Sequence, residues 1–346
     1  MKVLVTGNLG YIGTVLVPLL QEQGHEVTGL DAGYYKDCLL YTGFSEPTRQ
    51  INKDIRDVSA EDLAGMDAVI HLAALSNDPL GELSPGLTEE INLMGTIRTA
   101  ELAKKAGVKR FIYSSSQSMY GISRVEGELD EYDSEKNPIT AYARTKWEAE
   151  LALADLQNDD FIVVSFRPST VFGASPRLRC DIVFNNLVAC AYTTGRIEIK
   201  SDGTPCRPVV HVKDVCAAYI AGLNAPAALV AGRAFNVGIP NGNFTVRELA
   251  EAAQRSVPGS VLTFTGEHGN DARTYRVSFH RILTELADYF KPEWDLDRGG
   301  KELVDLFRAT SFTEADFRGR KTTRLAQLSY LQSIQEVDNR MRITHS

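Results

Sequence analysis

No apolar run in this sequence approaches the roughly 20 residues that a membrane-spanning helix needs. An excess of positive charge is missing too. The formal net charge is −8, the wrong sign for a broad nucleic-acid footprint, although a few converging arginines would still let an acidic protein hold a phosphorylated ligand. Cysteines are few. Cys38, Cys180, Cys190, Cys206 and Cys216 form no CxxC pair, which argues against a disulfide framework and fits a reducing cytoplasm. The histidines show no HExxH or other metal-ligand spacing, so no metal is expected. Internal repeats and low-complexity tracts are absent. The opening MKVLVTG passes straight into a strand pattern with no basic n-region or long apolar h-region before it, so a cytoplasmic protein without a signal peptide is expected. With 346 residues, 43% of them apolar, the chain can build a sizeable core in one large domain or two ordinary ones.

What is present begins at once. Lys2–Thr6 is a β-branched run that reads as a buried strand. It enters Gly7-Asn8-Leu9-Gly10-Tyr11-Ile12-Gly13, and a helical pattern follows to about Gln23. Glu26–Leu30 reads as a second strand ending at Asp31. The three glycines play separate roles. Gly7 permits the tight turn, Gly10 lets backbone approach a pyrophosphate, and Gly13 lets helix and strand pack closely. The phosphates would rest on free N–H groups at the helix N-terminus. The spacing is GxxGxxG rather than GxGxxG, but the strand before, the helix after and the acid ending the next strand give it weight. Asp31 can accept from ribose hydroxyls and repels a 2′-phosphate, favouring NAD over NADP; Lys36 nearby moderates that preference. Further strands at 68–72, 110–114 and 161–166 alternate with helical stretches at 88–106 and 139–156, which predicts a parallel sheet with helices on both faces.

Tyr142 and Lys146 are four apart on a helical segment and share a face. Upstream, a strand ends in Ser114-Ser115-Ser116-Gln117-Ser118-Met119-Tyr120-Gly121. Ligands of parallel sheets bind beyond the carboxyl ends of strands, so these hydroxyls would face the reactive end of a dinucleotide. Oxidising a sugar alcohol requires a base for the O–H proton as hydride leaves carbon. Tyrosine, with an ordinary pKa of about 10, is a poor base unless a lysine ammonium and the positive nicotinamide stabilise its phenolate. A serine hydroxyl can hold the same substrate oxygen.

On these residues the sequence resembles the extended short-chain dehydrogenase/reductases, in the branch of NAD-dependent sugar-nucleotide epimerases and dehydratases. The likeness runs from Met1 to about Arg308. It is carried by TGNLGYIG, Asp54-Ile55, HLAA at 71–74, Asn92, SSSQSMYG, YARTK and RPSTVFG at 167–173. The resemblance implies that Gly7, Gly10 and Gly13, with Tyr11 and Ile12, cradle the pyrophosphate. Asp31 would hold the adenosine ribose, and Asp54 and Ile55 would flank the adenine. Leu72, Ala73, Ala74, Asn92, Ser114 and Pro168 join the implied NAD site. Tyr142 would be the base, Lys146 would hold the nicotinamide ribose and tune Tyr142, and Ser116 would bind the reacting hydroxyl. Gln117, Ser118, Asn186, Leu187, Arg207 and Arg273 fall at substrate positions, the two arginines on the diphosphate, where guanidinium pairs well with phosphate. Pro208 departs from the pattern, since many relatives carry an aspartate there.

The expected architecture is a Rossmann-type doubly wound α/β sheet over 1–170, to which a segment near 209–238 returns. A smaller α/β substrate region covers 171–310, and a helical C-terminal tail covers 311–346. In TRLAQLSYL the tail has an amphipathic pattern that could pack on its own subunit or at an interface. A homodimer through helices near 88–106 and 139–156 is implied by the resemblance. The relatives that dehydrate carry an Asp-Glu pair where Gln117 and Ser118 stand, and the 3,5-epimerases carry a cysteine near Ser118. Neither residue here is a good proton-transfer group, which leaves 4-epimerisation of a nucleotide-diphosphate sugar through a 4-keto sugar. The alternatives are a dehydratase, a reductase or dehydrogenase that exchanges its cofactor, and an NAD-sensing protein without turnover.

Overall fold

A computed structural model describes residues 1–76, 84–121, 127–266 and 274–344. Its centre is a seven-stranded sheet, parallel throughout. The strands are β1 (Lys2–Thr6), β2 (Glu26–Asp31), β3 (Arg49–Asn52), β4 (Ala68–His71), β5 (Arg110–Ser114), β6 (Ile162–Pro168) and β7 (Arg233–Val237). Their spatial order is β3-β2-β1-β4-β5-β6-β7. The order reverses beside β1, so a crevice opens past the carboxyl ends of β1 and β4, where doubly wound sheets bind ligands. Central strands read as continuous apolar runs because both faces are covered. All seven residues of β6 are buried.

The helices are α1 (Gly13–Glu22), α2 (Gly95–Lys105), α3 (Ala141–Leu156), α4 (Val183–Thr194), α5 (Val212–Asn224), α6 (Val246–Ser256), α7 (Leu296–Ala309) and α8 (Arg324–Ser333), with shorter turns between. The helical stretch expected at 88–106 is composite. Pro85–Thr88 begins it, Glu89–Met94 is a π-helical turn, and α2 completes it. Side chains of α1, α5 and the strand interiors form one core on one face of the sheet. After α5 the chain re-enters the sheet as β7, which pairs with β6.

A second core lies in the other region, where α4, α6 and α7 enclose Phe184, Leu249 and Phe307. Small sheets flank it. Thr170–Phe172, Cys206–His211 and Asn243–Thr245 form one, and Arg196–Ile199 pairs with Val261–Phe264. The C-terminal tail packs on its own subunit. Leu328, Leu331, Val337 and Met341 bury in the same cluster as Leu4, Leu30 and Val69 of the main sheet, because the apolar stripe of α8 finds the uncovered side of the β2 end.

Candidate active site

Past the carboxyl ends of β1, β4, β5 and β6 lies a cleft of about 640 Å³, within the size range of small-molecule sites. Gly7, with φ +72°, turns the chain out of β1. A Cβ on Gly7 would stand 2.8 Å from the Ala73 nitrogen, and one on Gly13 would stand 2.5 Å from the Gly7 oxygen. Only glycine allows this close packing. Among the described residues, no hydrogen bond is donated by the N–H groups of Tyr11, Ile12 or Gly13. Free donors at a helix start in a cleft suit a phosphate, so the turn fits a dinucleotide diphosphate. Tyr11 pegs the turn to the second region: its hydroxyl donates to the Gly173 oxygen at 2.7 Å and accepts from Asn185 Nδ2 at 3.2 Å.

Asp31 ends β2 on the cleft wall. Its carboxylate accepts from the N–H of Leu9 at 3.1 Å and of Gly33 at 2.7 Å, so it also braces the glycine turn. Burial raises its pKa, opposed by these hydrogen bonds and by the guanidinium groups of Arg177 and Arg324. Asp54 and Ile55 line the same end. Asp54 accepts from Arg56 Nε at 2.9 Å, and its carboxylate lies 3.2 Å from the Tyr34 hydroxyl oxygen. Burial opposes its ionisation, yet the hydrogen bonds and charge of Arg56 win and hold the pKa below the usual carboxylate value.

Leu72, Ala73, Ala74, Ser114 and Pro168 line the cleft. Asn92 does not. It is buried, and its side chain bridges both backbone groups of Leu75, accepting at 2.8 Å and donating at 3.0 Å. It therefore shapes the loop after β4 from behind. His71, of the HLAA stretch, lies between the Thr6 and Thr96 hydroxyls at 3.0 and 2.9 Å. Burial first, and the charge of Lys146 second, push its pKa down to about 3, so it is a neutral strut.

Ser116, Tyr142 and Lys146 all line the cleft. Thr140 caps α3 by accepting from the Ala143 N–H at 3.1 Å, which fixes where Tyr142 and Lys146 start their helix. The buried Lys146 ammonium donates to the Ser114 carbonyl oxygen at 2.7 Å. Burial lowers its pKa to about 7. Ser116 Oγ accepts from the Ser118 N–H at 3.1 Å and stands 2.8 Å from Ser118 Oγ. Gln117 reaches the cleft wall, but its side chain is committed. Nε2 donates to the Arg167 oxygen at 2.9 Å, and Oε1 accepts from Ser169 Oγ at 3.2 Å.

The substrate positions divide. Arg207 lines the cleft. Asn186 and Leu187 do not: Asn186 is exposed and donates to the Cys180 oxygen at 2.8 Å, while Leu187 packs in the second core. On α4 it is their neighbour Asn185 that turns inward. Arg273 lies outside the described residues. Cleft residues not expected from the sequence include Tyr34, Arg179, Asp181 and Arg324. Two arginines within SPRLRC, just past RPSTVFG, were the available signal for Arg179. Arg324 sits in a helix whose amphipathic pattern hides it.

The Epimerase model, described as the NAD dependent epimerase/dehydratase family, matches residues 3–238. A UDP-glucose 4-epimerase of Mycolicibacterium smegmatis is 30% identical over 326 residues, covering 90% of this chain and 100% of that protein. A UDP-glucuronic acid decarboxylase 1 of Arabidopsis thaliana is 26% identical over 328 residues, covering 92% of this chain and 72% of that protein. Among solved structures, the UDP-glucose 4-epimerase of Thermotoga maritima with UDP-glucose superposes with a TM-score of 0.75 at 23% identity, covering 90% of this chain and 100% of that one; at that identity the likeness concerns the fold. The glycine turn, the cleft shared by Ser116, Tyr142 and Lys146, and the match over two thirds of the chain agree, and the chain belongs to the NAD-dependent epimerase/dehydratase family.

Proposed function

We propose that this enzyme inverts C4 of a nucleotide-diphosphate sugar, keeping its NAD through the cycle. NAD, which the glycine turn and Asp31 would hold, would supply a hydride acceptor and donor. Tyr142 takes the C4 hydroxyl proton, and Ser116 holds that oxygen. Lys146 stabilises the tyrosine phenolate and anchors the nicotinamide ribose. Arg207, and Arg273 by resemblance, grip the diphosphate while the 4-keto sugar turns its other face. Tyr142 then returns the proton.

One observation carries the choice of reaction. Dehydration needs an acid for the departing hydroxyl and a base at C5, and among the described residues no carboxylate is hydrogen-bonded to Ser116. Among the described residues the cleft carboxylates are Asp31, Asp54 and Asp181, and all three are engaged: Asp31 by backbone N–H groups, Asp54 by Arg56 and Asp181 by Arg179. Gln117 is held by Arg167 and Ser169. The similarity to a UDP-glucose 4-epimerase supports this reading and makes uridine diphosphate sugars the first substrates to try. The homodimer expected from the resemblance belongs to the same proposal, supported by exposed Met94 and Leu151 on the two helical stretches concerned.

The test is proton NMR in deuterated water with a panel that includes UDP-glucose and UDP-glucuronic acid. A C4 epimer without deuterium on carbon is expected. Deuterium at C5 with a new 6-methyl signal, or a pentose formed with loss of carbon dioxide, contradicts the proposal.

A further inference from the structure

The C-terminal segment reaches the adenosine end of the NAD cleft. Thr323, Arg324 and Leu325 lie on its wall. From α8 onward the chain is fastened to the loops that form that end. The Tyr34 hydroxyl donates to the Met341 oxygen at 2.5 Å, Gln327 Nε2 donates to the Tyr34 oxygen at 3.0 Å, and Arg56 Nη1 donates to the Arg340 oxygen at 2.9 Å. Arg340 pairs with Glu90, both oxygens at 3.0 Å, and Arg342 pairs with Asp57. These anchors hold Arg324 in place.

Arg324 is 1% exposed. Its Nη2 donates to the Arg177 oxygen at 2.7 Å, its backbone N–H reaches Asp181 Oδ2 at 3.3 Å, and its guanidinium lies 4.4 Å from the centre of the Tyr35 ring. Nη1 is buried without a hydrogen-bond partner among the described residues, as is Nη1 of Arg177. Three buried guanidinium groups, on Arg177, Arg179 and Arg324, gather here with two carboxylates, on Asp31 and Asp181. Arg179 pairs with Asp181 at 2.8 and 3.1 Å. Asp31 is held by backbone N–H groups instead.

Burying a cation in excess of its counter-charges is costly, and a buried donor left unmade carries its own penalty. An anion in the cleft relieves both. The only large anion a dinucleotide offers is phosphate, and planar guanidinium is the side chain best matched to it. We infer that Arg324, supplied by the C-terminal segment, is an NAD-binding residue that engages a phosphate group on the adenosine side of the dinucleotide. Proximity to Asp31 and Tyr35 sets it on the cofactor half of the cleft. The inference rests on the dinucleotide site and not on which sugar reaction follows.

The experiment is equilibrium binding to cofactor-stripped protein, comparing wild type, Arg324→Lys and Arg324→Gln. The probes are NAD, NADP, adenosine and UDP-glucose. Losing a charge-assisted hydrogen bond should weaken NAD binding about 10- to 100-fold in Arg324→Gln, with Arg324→Lys intermediate and adenosine unchanged. A loss shared by NAD and NADP assigns the contact to the bridging diphosphate; a loss confined to NADP leaves NAD binding untouched and overturns the inference. Unchanged NAD and NADP binding overturns the inference. So does a parallel loss for NAD and adenosine without recovery in Arg324→Lys, or a loss confined to UDP-glucose. If Arg324→Gln does not fold, Arg324→Lys decides: weaker NAD with unchanged adenosine supports the contact, and unchanged NAD contradicts it.

Discussion

The Lys146 ammonium and the Ser114 carbonyl oxygen stand 2.7 Å apart, in a buried contact that locks α3 against the end of β5. Burial moves the lysine from its ordinary 10.5 to about 7. Between those values the unfolded chain binds a proton that the folded chain does not, so the Lys146 contribution makes stability rise as pH climbs from about 7 to 10.5. Denaturant unfolding at several pH values across this window should show the rise in cofactor-stripped protein. Lys146→Met should flatten it. An equal slope in both proteins would mean that Lys146 titrates near its ordinary value.

Tyr142→Phe removes the proposed proton acceptor while leaving the ring in the cleft wall. Turnover should fall by about 10²- to 10⁴-fold, the usual worth of general acid–base catalysis. NAD affinity should stay within a few-fold, since the glycine turn and Asp31 carry the dinucleotide in this reading. Steady-state kinetics beside NAD titration would check both halves.

Gly13→Ala should abolish NAD binding, because the new methyl would meet the Gly7 oxygen and Asn8 Cα at 2.5 Å. Those atoms are backbone, so relief requires moving the turn itself. Gly24→Ala is an informative control: it too is strained by a φ of +77°, but its added carbon meets nothing within 4 Å. A Gly24→Ala protein that loses stability yet binds NAD normally would separate turn geometry from general weakening.

Behind the site, Arg167 and Glu150 form a buried pair, with Nε–Oε1 at 3.1 Å, and Ser115 Oγ donates to Glu150 at 2.8 Å. Glu150→Ala leaves the guanidinium uncompensated and should cost about 3–5 kcal/mol of stability. Arg167 also donates to the Tyr120 hydroxyl at 3.0 Å and the Glu131 oxygen at 3.0 Å, so replacing Glu150 also disturbs the wall behind Gln117. Chemical denaturation of the variant would measure the loss.

How much of the molecule is legible in its sequence follows from the range of each interaction. β1, the glycine turn and Asp31 are legible because strand period, turn chemistry and helix start are local. That Ser116, Tyr142 and Lys146 line one cleft is legible from a motif, since strand ends and one helix face converge by topology. Asn186 and Leu187 are harder: a helix turns about 100° per residue, so the sequence alone does not say which of Asn185, Asn186 and Leu187 faces inward along α4. The tail is legible as a helix, but its partner is not. Arg324 gains meaning only when residues about 300 positions apart, such as Tyr34 and Gln327, are brought together.

Hydride return to the same carbon is the core of the proposed cycle. A nucleotide sugar that the enzyme turns over, deuterated at C4 and incubated in ordinary water, tests it directly by mass spectrometry and NMR of the product. The expected product is a C4 epimer that retains its deuterium at C4, with none released as free reduced cofactor. Deuterium lost to solvent, or carried away on dissociated NADH, would contradict the cycle.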